Sequence, residues 1–281
     1  MHAFTPTPHL DALLDLTLAE DLGTGDATAA LVPAHTHARA EIQAREVLVL
    51  CGAPVVERLL WRFGPGAPAV HWLCADGERV TKDTVVGHLE GDLRAMLTIE
   101  RSLLNLLQRM SGVATQARRY VDAVAGTGAR ITDTRKTLPG HRLLDKYATR
   151  VGGAFNHRAG LDGGVLIKDN HLAACGGVVG AIARARATAS HSLRIEVEVE
   201  DLAGLDAAIA AGAEVVLLDN FTPAGIAEAV KRADGRVLTE ASGGIDLANV
   251  RAYAEAGVDL ISVGALTHSV RAADLALEVL T

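Results

Sequence analysis

Residues 193–220 read LRIEVEVEDLAGLDAAIAAGAEVVLLDN, and this stretch decides the fold class. Its pattern predicts a strand over 193–199, an alanine-rich helix over 202–211 and a second strand over 214–219. Gly212 ends the helix shortly before the second strand begins. Two strands joined by a helix with short connections are typical of a parallel βαβ unit.

The same alternation extends over most of the chain after residue 129. Further strands are predicted over 129–134, 164–168, 236–240 and 259–263, and further helices over 177–189, 224–232 and 247–256. A doubly wound open sheet and a closed barrel both fit this alternation. Polar and glycine residues at the strand ends favour the barrel, because those ends surround one active-site mouth. Six strands are predicted rather than eight, so we expect an incomplete parallel α/β barrel.

The first hundred residues have a different texture. Apolar residues at helical spacing predict helices over 10–20, 53–63 and 99–116. Alternation predicts a strand over 38–50, and glycine-punctuated apolar runs predict small antiparallel strands between 71 and 99. This part of the chain is therefore expected to mix helices and antiparallel strands.

Composition narrows the class of protein. The chain has 281 residues, 49% of them hydrophobic, and a formal net charge of -7 at pH 7. This balance excludes disorder, and a general nucleic-acid binder would usually be basic. The cysteines Cys51, Cys74 and Cys175 are widely spaced, which favours a reducing compartment. No signal peptide and no membrane-spanning stretch are predicted, so we expect a cytoplasmic protein without membrane partners.

Basic residues are concentrated in the segment 135–171. Arg135, Lys136 and Lys168 follow predicted strands directly, so they predict a pocket for an anion. Spacings of four are instead typical of an exposed helix face, and we interpret three further cations in that way: Arg142, Lys146 and Arg150. The histidines of this segment lack metal-site spacing: His141, His157 and His171.

Carboxylates recur along the predicted strand 193–199. Glu196, Glu198 and Glu200 share one face, a pattern that fits either an exposed edge strand or a buried barrel strand. In a barrel, buried carboxylates need cations. Glu198 and Asp219 end successive strands, and their oxygens could hold Mg²⁺ directly or through water.

Glycine-containing loops follow the last two predicted strands. They are Ser242-Gly243-Gly244 and the loop that begins at Gly264. Each precedes a helix, where backbone N–H groups can bind a phosphate. Cations, paired carboxylates and these loops together predict transfer of a group from a phosphorylated, Mg²⁺-bound donor.

Several motifs closely resemble those of the quinolinate phosphoribosyltransferase family, the carboxylating nicotinate-nucleotide pyrophosphorylases. In chain order they are DTRKT at 133–137, NHR at 156–158, LIKDNH at 166–171, EVEV at 196–199, LDN at 218–220 and EASGG at 240–244. The resemblance covers nearly the whole chain. Its most specific part is the block from Asp133 to His171.

The resemblance implies an α/β protein with two domains. An N-terminal α/β sandwich would occupy 1–112 and be joined by the C-terminal end, about 270–281, while the incomplete barrel would occupy 113–269. It also implies a homodimer in which Arg101 reaches the partner's active site. The implied enzyme is a nicotinate-nucleotide diphosphorylase (carboxylating), which joins quinolinate to phosphoribosyl pyrophosphate and gives nicotinate mononucleotide, pyrophosphate and CO2 in NAD biosynthesis.

The resemblance also implies roles for individual residues. Catalytic roles fall on Lys136, Lys168, Glu198 and Asp219, and the last two would also hold Mg²⁺. Substrate-binding roles fall on Arg101, Arg135, Lys136, His157, Arg158, Lys168, Glu198, Asp219, Ser242, Gly243, Gly244, Gly264 and His268. The chain departs from the family pattern at Ala154-Phe155 and at His141. His171 matches the pattern but receives no role.

Two other functions remain as alternatives. One is a homologue from the molybdate-operon branch that acts on a different nitrogen heterocycle, against which the intact blocks 156–158 and 167–171 argue. The other is a biotinyl or lipoyl carrier, because 77–91 has a glycine-punctuated strand pattern. Lys82 lacks the context of a modified lysine at a hairpin tip, which argues against a carrier.

Overall fold

The computed structural model describes residues 4–280. Its helices are α1 (Pro8–Leu22), α2 (Ala53–Phe63), α3 (Leu93–Ala123), α4 (Arg142–Val151), α5 (Asp169–Cys175), α6 (Val178–Thr188), α7 (Leu202–Ala211), α8 (Pro223–Ala233), α9 (Val250–Glu255) and α10 (Ala265–His268), with a 3-10 turn at Ala29–Leu31. Its strands are β1 (His37–Ala44), β2 (Leu48–Val49), β3 (Ala69–Trp72), β4 (Arg79–Val80), β5 (Val85–Asp92), β6 (Arg130–Thr132), β7 (Val165–Ile167), β8 (Ile195–Val199), β9 (Val215–Asp219), β10 (Leu238–Ser242), β11 (Leu260–Ser262) and β12 (Leu275–Leu280).

The chain divides into two compact units. Within the described residues, the first comprises residues 4–118, 137–153 and 269–280. The second comprises residues 119–136 and 154–268. The chain thus leaves the first unit and returns to it twice, whereas the domain boundaries predicted from the sequence kept 113–269 together.

The first unit is built around an antiparallel sheet of four strands in the order β12-β1-β5-β3. In β1, Ala40, Ile42 and Ala44 are buried and alternate with more exposed residues, as expected for a strand with one face on a core. The strand predicted over 38–50 is interrupted, because β2 leaves this sheet and pairs with β4 instead. The last strand, β12, pairs antiparallel with β1.

Helix α4 belongs to the first unit. Polar contacts as well as apolar ones hold it there. Arg109 of α3 forms an ion pair of 2.9 Å with the buried carboxylate of Asp145. The Tyr147 hydroxyl donates to Asp76 over 2.9 Å. Lys146 is also buried, so its interpretation as part of an exposed helix face is wrong. A spacing of four residues does not distinguish a solvated face from a docked one.

Gly152 follows α4 where this segment passes close to α3. A Cβ at Gly152 would lie 2.5 Å from both the Ala114 carbonyl oxygen and the Ala117 Cβ. We expect Gly152→Ala to lower the free energy of unfolding by about 1–3 kcal/mol, because overpacking forces the backbone to shift. The measurement is urea denaturation.

The matched control is Gly128→Ala, where an added Cβ would meet nothing within 4 Å. This control should change the free energy of unfolding by less than about 0.5 kcal/mol. Equal losses of stability in the two variants would contradict the packing argument.

The second unit contains six parallel strands in the order β6-β11-β10-β9-β8-β7. The predicted number of strands is therefore confirmed. One cavity of about 240 Å³ is lined by residues from all six strands, among them Arg130 of β6 and Val165 of β7. The sheet therefore curls around a common interior, although β6 and β7 lie at its two edges. Such an open barrel matches the predicted fold class.

None of the helices within residues 4–280 combines the length and the apolar character needed to cross a bilayer.

Candidate active site

A cavity of about 430 Å³ opens at the carboxyl ends of the parallel strands in the second unit. Its lining residues are Thr134, Arg135, Lys136, His157, Arg158, Leu166, Lys168, Glu198, Leu217, Asp219, Glu240, Ser242 and Ser262. Eight of the site residues predicted from the sequence are among them: Arg135, Lys136, His157, Arg158, Lys168, Glu198, Asp219 and Ser242. The strand ends thus gather charges of both signs around one space, as expected for a parallel barrel.

Two of the cations are positioned by hydrogen bonds to their backbones. The Thr267 hydroxyl donates to the Lys136 carbonyl oxygen over 2.8 Å, which holds the turn after β6. The Lys168 N–H donates to Nδ1 of His171 over 3.0 Å, where β7 gives way to α5. His171, to which the sequence assigned no role, therefore fixes the backbone of a cation at the mouth of the cavity.

A buried carboxylate positions the segment that carries His157 and Arg158. Asp133 accepts hydrogen bonds from Asn156 Nδ2 over 2.7 Å and from the His157 N–H over 2.8 Å. Arg158 in turn donates from Nη1 to the Gly164 carbonyl oxygen over 2.7 Å. These hydrogen bonds fix the segment before any ligand arrives.

The electrostatics around Arg158 favour an anion. Burial lowers the pKa of its guanidinium, and the nearby positive charge of Arg135 lowers that pKa further, while Glu196 opposes the change. Two partly buried guanidinium groups that disfavour each other's charge are stabilised by an anion between them. The cavity is therefore suited to a carboxylate or phosphate ligand.

Carboxylates line the same cavity. Glu198 forms an ion pair with Lys168. Asp219 accepts a hydrogen bond of 2.8 Å from Asn220 Nδ2. Burial raises the pKa of the Asp219 carboxyl, and the negative charge of Glu198 raises it further. A bound cation would relieve this repulsion, and carboxylate oxygens are the ligands that Mg²⁺ prefers.

The glycine loops lie beside the cavity rather than in its lining. Gly243 has φ of +93°, and a Cβ there would lie 2.2 Å from Asn220 Oδ1. At Gly264 a Cβ would lie 2.9 Å from the His268 ring. Both positions therefore need glycine for close approach, whereas Gly244 is exposed. These contacts do not test the role of the glycine loops in phosphate binding, which stays a prediction.

Some residues that the sequence singled out lie elsewhere. Arg101 lies on α3 in the first unit, where its side chain is 66% exposed and pairs with Glu100 over 3.1 Å. His141 precedes α4, also in the first unit. Phe155 exchanges backbone hydrogen bonds with the β6 region, and Arg130 lies over its ring at 5.2 Å.

Sequence reasoning gave no site role to the interior groups of the barrel, although Glu196 lies on the strand face that it singled out. Glu240 lines the cavity and is 2% exposed, and Glu196 is 8% exposed. Ser262 of β11 also lines the cavity. The sequence did contain a signal for Glu240, because side chains two residues apart on a strand point to the same side. Glu240 lies two residues before the predicted site residue Ser242 on β10.

Cations and paired carboxylates at the carboxyl ends of a parallel barrel define an enzyme that acts on small anionic molecules. The quinolinate phosphoribosyl transferase C-terminal domain matches residues 113–278, and the N-terminal domain of the same family matches residues 26–111. The chain belongs to the quinolinate phosphoribosyltransferase family. The family predicted from the sequence motifs is therefore confirmed.

Three proteins similar to this chain are named as nicotinate-nucleotide pyrophosphorylases. The nicotinate-nucleotide pyrophosphorylase [carboxylating] of Mycobacterium leprae (strain TN) is 47% identical over 267 residues, covering 93% of this chain and 94% of that protein. The probable enzyme of the same name from Bacillus subtilis (strain 168) is 41% identical over 270 residues, covering 96% and 93%. The structure of the nicotinate-nucleotide pyrophosphorylase from Francisella tularensis has a TM-score of 0.95 and 40% identity, covering 99% of this chain and 98% of that one.

The family assignment removes the carrier as an alternative, and the strand pairing agrees. Lys82 lies between β4 and β5, which belong to different sheets and therefore do not form a hairpin.

Proposed function

We propose that the protein is a nicotinate-nucleotide diphosphorylase (carboxylating) of NAD biosynthesis, with its reaction centre in the cavity at the barrel mouth. The observation that carries the proposal is the convergence of cations with the pair Glu198 and Asp219 around one space of about 430 Å³. The substrates would be quinolinate, a pyridine diacid, and phosphoribosyl pyrophosphate. The names of the similar proteins support the same reaction rather than one on another heterocycle.

The diacid would be held by the fixed cations. Arg135 and Arg158 present guanidinium groups that can bind a carboxylate through two parallel hydrogen bonds. Lys136 and Lys168 supply further positive charge at the same mouth. Because the protein as a whole is acidic, this local charge gives selectivity for an anion at one place.

The sugar diphosphate would lie toward the carboxylates. Glu198 and Asp219 fit Mg²⁺ by donor type, and their mutual repulsion favours a cation between them. When bound, Mg²⁺ supplies positive charge that stabilises the departing pyrophosphate. Ser242 and the glycine loops at Gly243, Gly244 and Gly264 would bind phosphate oxygens through hydroxyl and backbone donors, with His268 beside them.

The reaction then has two parts. The pyridine nitrogen attacks the ribose C1, and the C1–O bond to pyrophosphate breaks with its electron pair on the leaving oxygen. The resulting pyridinium stabilises the electron pair that remains on the ring when the adjacent carboxylate leaves as CO2, and that carbon then takes up a proton. Lys136 and Lys168 would orient the carboxylate.

The direct test is incubation of the protein with quinolinate, phosphoribosyl pyrophosphate and Mg²⁺, followed by detection of CO2 and nicotinate mononucleotide. Nicotinate and other nitrogen heterocycles are offered in parallel reactions. Formation of both products from quinolinate, and not from the other heterocycles, is expected. Turnover of a different heterocycle without loss of CO2 would overturn the proposal in favour of the molybdate-operon alternative.

We also propose a homodimer in which Arg101 completes the partner's site. Its support is the exposure of Arg101, together with its position outside the mouth cavity. Arg101→Ala and Lys168→Ala should each be inactive alone. Dissociated and reassembled together, they should regain roughly a quarter of the wild-type activity, because half of the dimers then hold one intact site.

The control for this mixing experiment is a mixture of the variants Lys168→Ala and Asp219→Asn. In the wild type these two residues line the same cavity of one chain, so every site in the mixture carries at least one defect. That mixture should regain no activity if Lys168 and Asp219 act from one chain. Failure of the first mixture to regain activity, with exchange of subunits demonstrated by mass, would overturn the shared site.

A further inference from the structure

A buried polar cluster lies inside the barrel, beneath the cations of the mouth. It consists of His157, Glu196 and Glu240. His157 Nε2 lies 3.1 Å from a Glu196 oxygen and 3.8 Å from Glu240 Oε1. His157 and Glu240 line both the mouth cavity and the cavity on the opposite side of the barrel interior. The cluster therefore separates the two spaces, and the family roles given above do not include its carboxylates.

The hydrogen bonds of His157 determine where its ring proton lies. Nδ1 accepts a hydrogen bond of 2.8 Å from the Arg158 N–H, so that nitrogen is unprotonated. The proton of the neutral ring must then lie on Nε2, which faces the two carboxylates. His157 therefore donates one hydrogen bond into the cluster but brings no full positive charge.

Two ionised carboxylates beside one neutral imidazole and the single positive charge of Arg158 would leave one negative charge unbalanced in a buried cluster. Glu196 and Glu240 are both more than nine-tenths buried, and the Oε1 atom of each has no hydrogen-bond partner within residues 4–280. A proton on one carboxyl group supplies a donor at this position and removes one of the like charges. The arrangement thus calls for a proton on one of the two carboxyl groups.

We infer that Glu240 is a positioning residue that works as a neutral acid, holding His157 and limiting negative charge beneath the cations that bind the pyridine diacid. The inference rests on the proposed function of that cavity. Burial and the negative charge of Glu196 raise the pKa of Glu240 to about 7. At neutral pH the group therefore lies close to its own titration, and loss of its proton would disfavour a dianion above it.

The groups that face Glu240 come from several elements. Glu196 faces it from β8, and His157 and Arg158 face it from the segment between α4 and β7. The nearby hydroxyl of Ser262 on β11 lowers the pKa of Glu240. The residue of β9 in register with Glu240 is the apolar Leu217. None of these groups lies on β10 with Glu240, so the titration of Glu240 depends on the assembled barrel.

The same three side chains have the composition of a divalent metal site, since one ligand atom of each lies within 4.8 Å of the others. The hydrogen bond at Nδ1 argues against that function. A metal on Nε2 would need the ring proton on Nδ1, where the Arg158 N–H already points. We therefore favour a proton, and metal binding becomes an outcome of the test.

The test measures KM for quinolinate against pH in the wild type and in Glu240→Gln, from about pH 5.5 to about pH 9. In the wild type KM should rise roughly three- to tenfold through neutrality, while kcat changes less, because the added charge acts on the diacid. Glutamine has the shape of the neutral acid and cannot titrate, so the rise should disappear. Glu255→Gln, on the exposed surface of α9, should keep the wild-type profile.

A second measurement uses the wild type alone, so the test survives if Glu240→Gln does not fold. The heat of quinolinate binding, measured above neutrality in buffers of different ionisation enthalpy, should report uptake of up to about one proton. The inference fails if quinolinate binds without proton uptake or if Glu240→Gln keeps the rise in KM. It also fails if the purified protein carries a stoichiometric metal that Glu240→Gln loses. Failure of the proposed function looks different, because quinolinate would then neither bind nor turn over at any pH.

Discussion

Lys168→Ala is expected to lower kcat/KM for quinolinate by about 10²–10³-fold, because truncating one partner of a hydrogen-bonded charge pair in a site costs about 2–5 kcal/mol. Lys168 ends β7 at the cavity mouth and pairs with Glu198. Its removal takes away a cation for the diacid and also leaves a carboxylate unbalanced beside the substrate. The measurement is steady-state kinetics with both substrates varied.

The fold should survive this change, because the Lys168 side chain is 46% exposed. The far-UV circular dichroism spectrum and the urea midpoint should therefore match those of the wild type. Lys231→Ala is the matched control, since this lysine lies in α8 of the same unit and is exposed. Near-normal turnover by Lys168→Ala, or an equal loss in Lys231→Ala, would refute the role given to Lys168.

Asp219→Asn should lower kcat by about 10²–10³-fold, the usual effect of removing one group that stabilises charge in the transition state. The amide keeps the size of the side chain at the end of β9 but loses the negative charge that would hold Mg²⁺ with Glu198. The Mg²⁺ concentration needed for half-maximal activity should rise at the same time. Titration of activity with MgCl2 measures both effects.

The pH dependence supplies a second measurement for Asp219. Burial and the charge of Glu198 raise the pKa of this carboxyl, and the proposed binding of Mg²⁺ requires its ionised form. Activity should therefore fall with acid at a higher pH than an ordinary aspartate would give, and Asp219→Asn should lose this acid limb. Asp206→Asn, on an exposed side chain paired with Arg232, is the control and should retain it. An unchanged Mg²⁺ dependence in Asp219→Asn would contradict the metal role.

The barrel half of the fold could be predicted because its signals are local. Helix α7 has the predicted bounds, and strands β8 and β9 lie within the predicted runs 193–199 and 214–219. Each short apolar run is bounded by a glycine or by charged residues. The spacing of the apolar residues and the residues that end each run therefore predict the same strand bounds. Prediction failed more often where pairing is remote. The register of β1 against β12 joins residues more than two hundred positions apart, and no local pattern specifies it.

Helix α3 illustrates a second limit. The prediction covered 99–116, whereas the helix runs from Leu93 to Ala123. Its first turn follows β5 directly, and the Asp92 carboxylate accepts a hydrogen bond from the Ala95 N–H. That cap was readable as an acidic residue before a helical pattern, but the neighbouring glycine at 91 favoured a turn instead.

In the site, the strand-end rule found the cations and carboxylates of the mouth. It could not find the buried polar cluster, because a glutamate inside a strand looks the same whether it faces water or a barrel interior. Lys146 was misread for a similar reason, since four-residue spacing does not show which helix face is docked. Whether a polar side chain is buried depends on packing in three dimensions. The neighbouring residues in the sequence do not predict it.

The central claim is that fixed cations at the carboxyl ends of the barrel strands bind the pyridine diacid beside the carboxylate pair. A crystal structure of the protein with quinolinate tests this claim most directly. We expect the two carboxylates of the ligand to lie against Arg135, Arg158 and Lys168, with its ring nitrogen turned toward the side of Glu198 and Asp219. Quinolinate bound outside the cavity, or in it with its carboxylates turned away from those three side chains, would contradict the account.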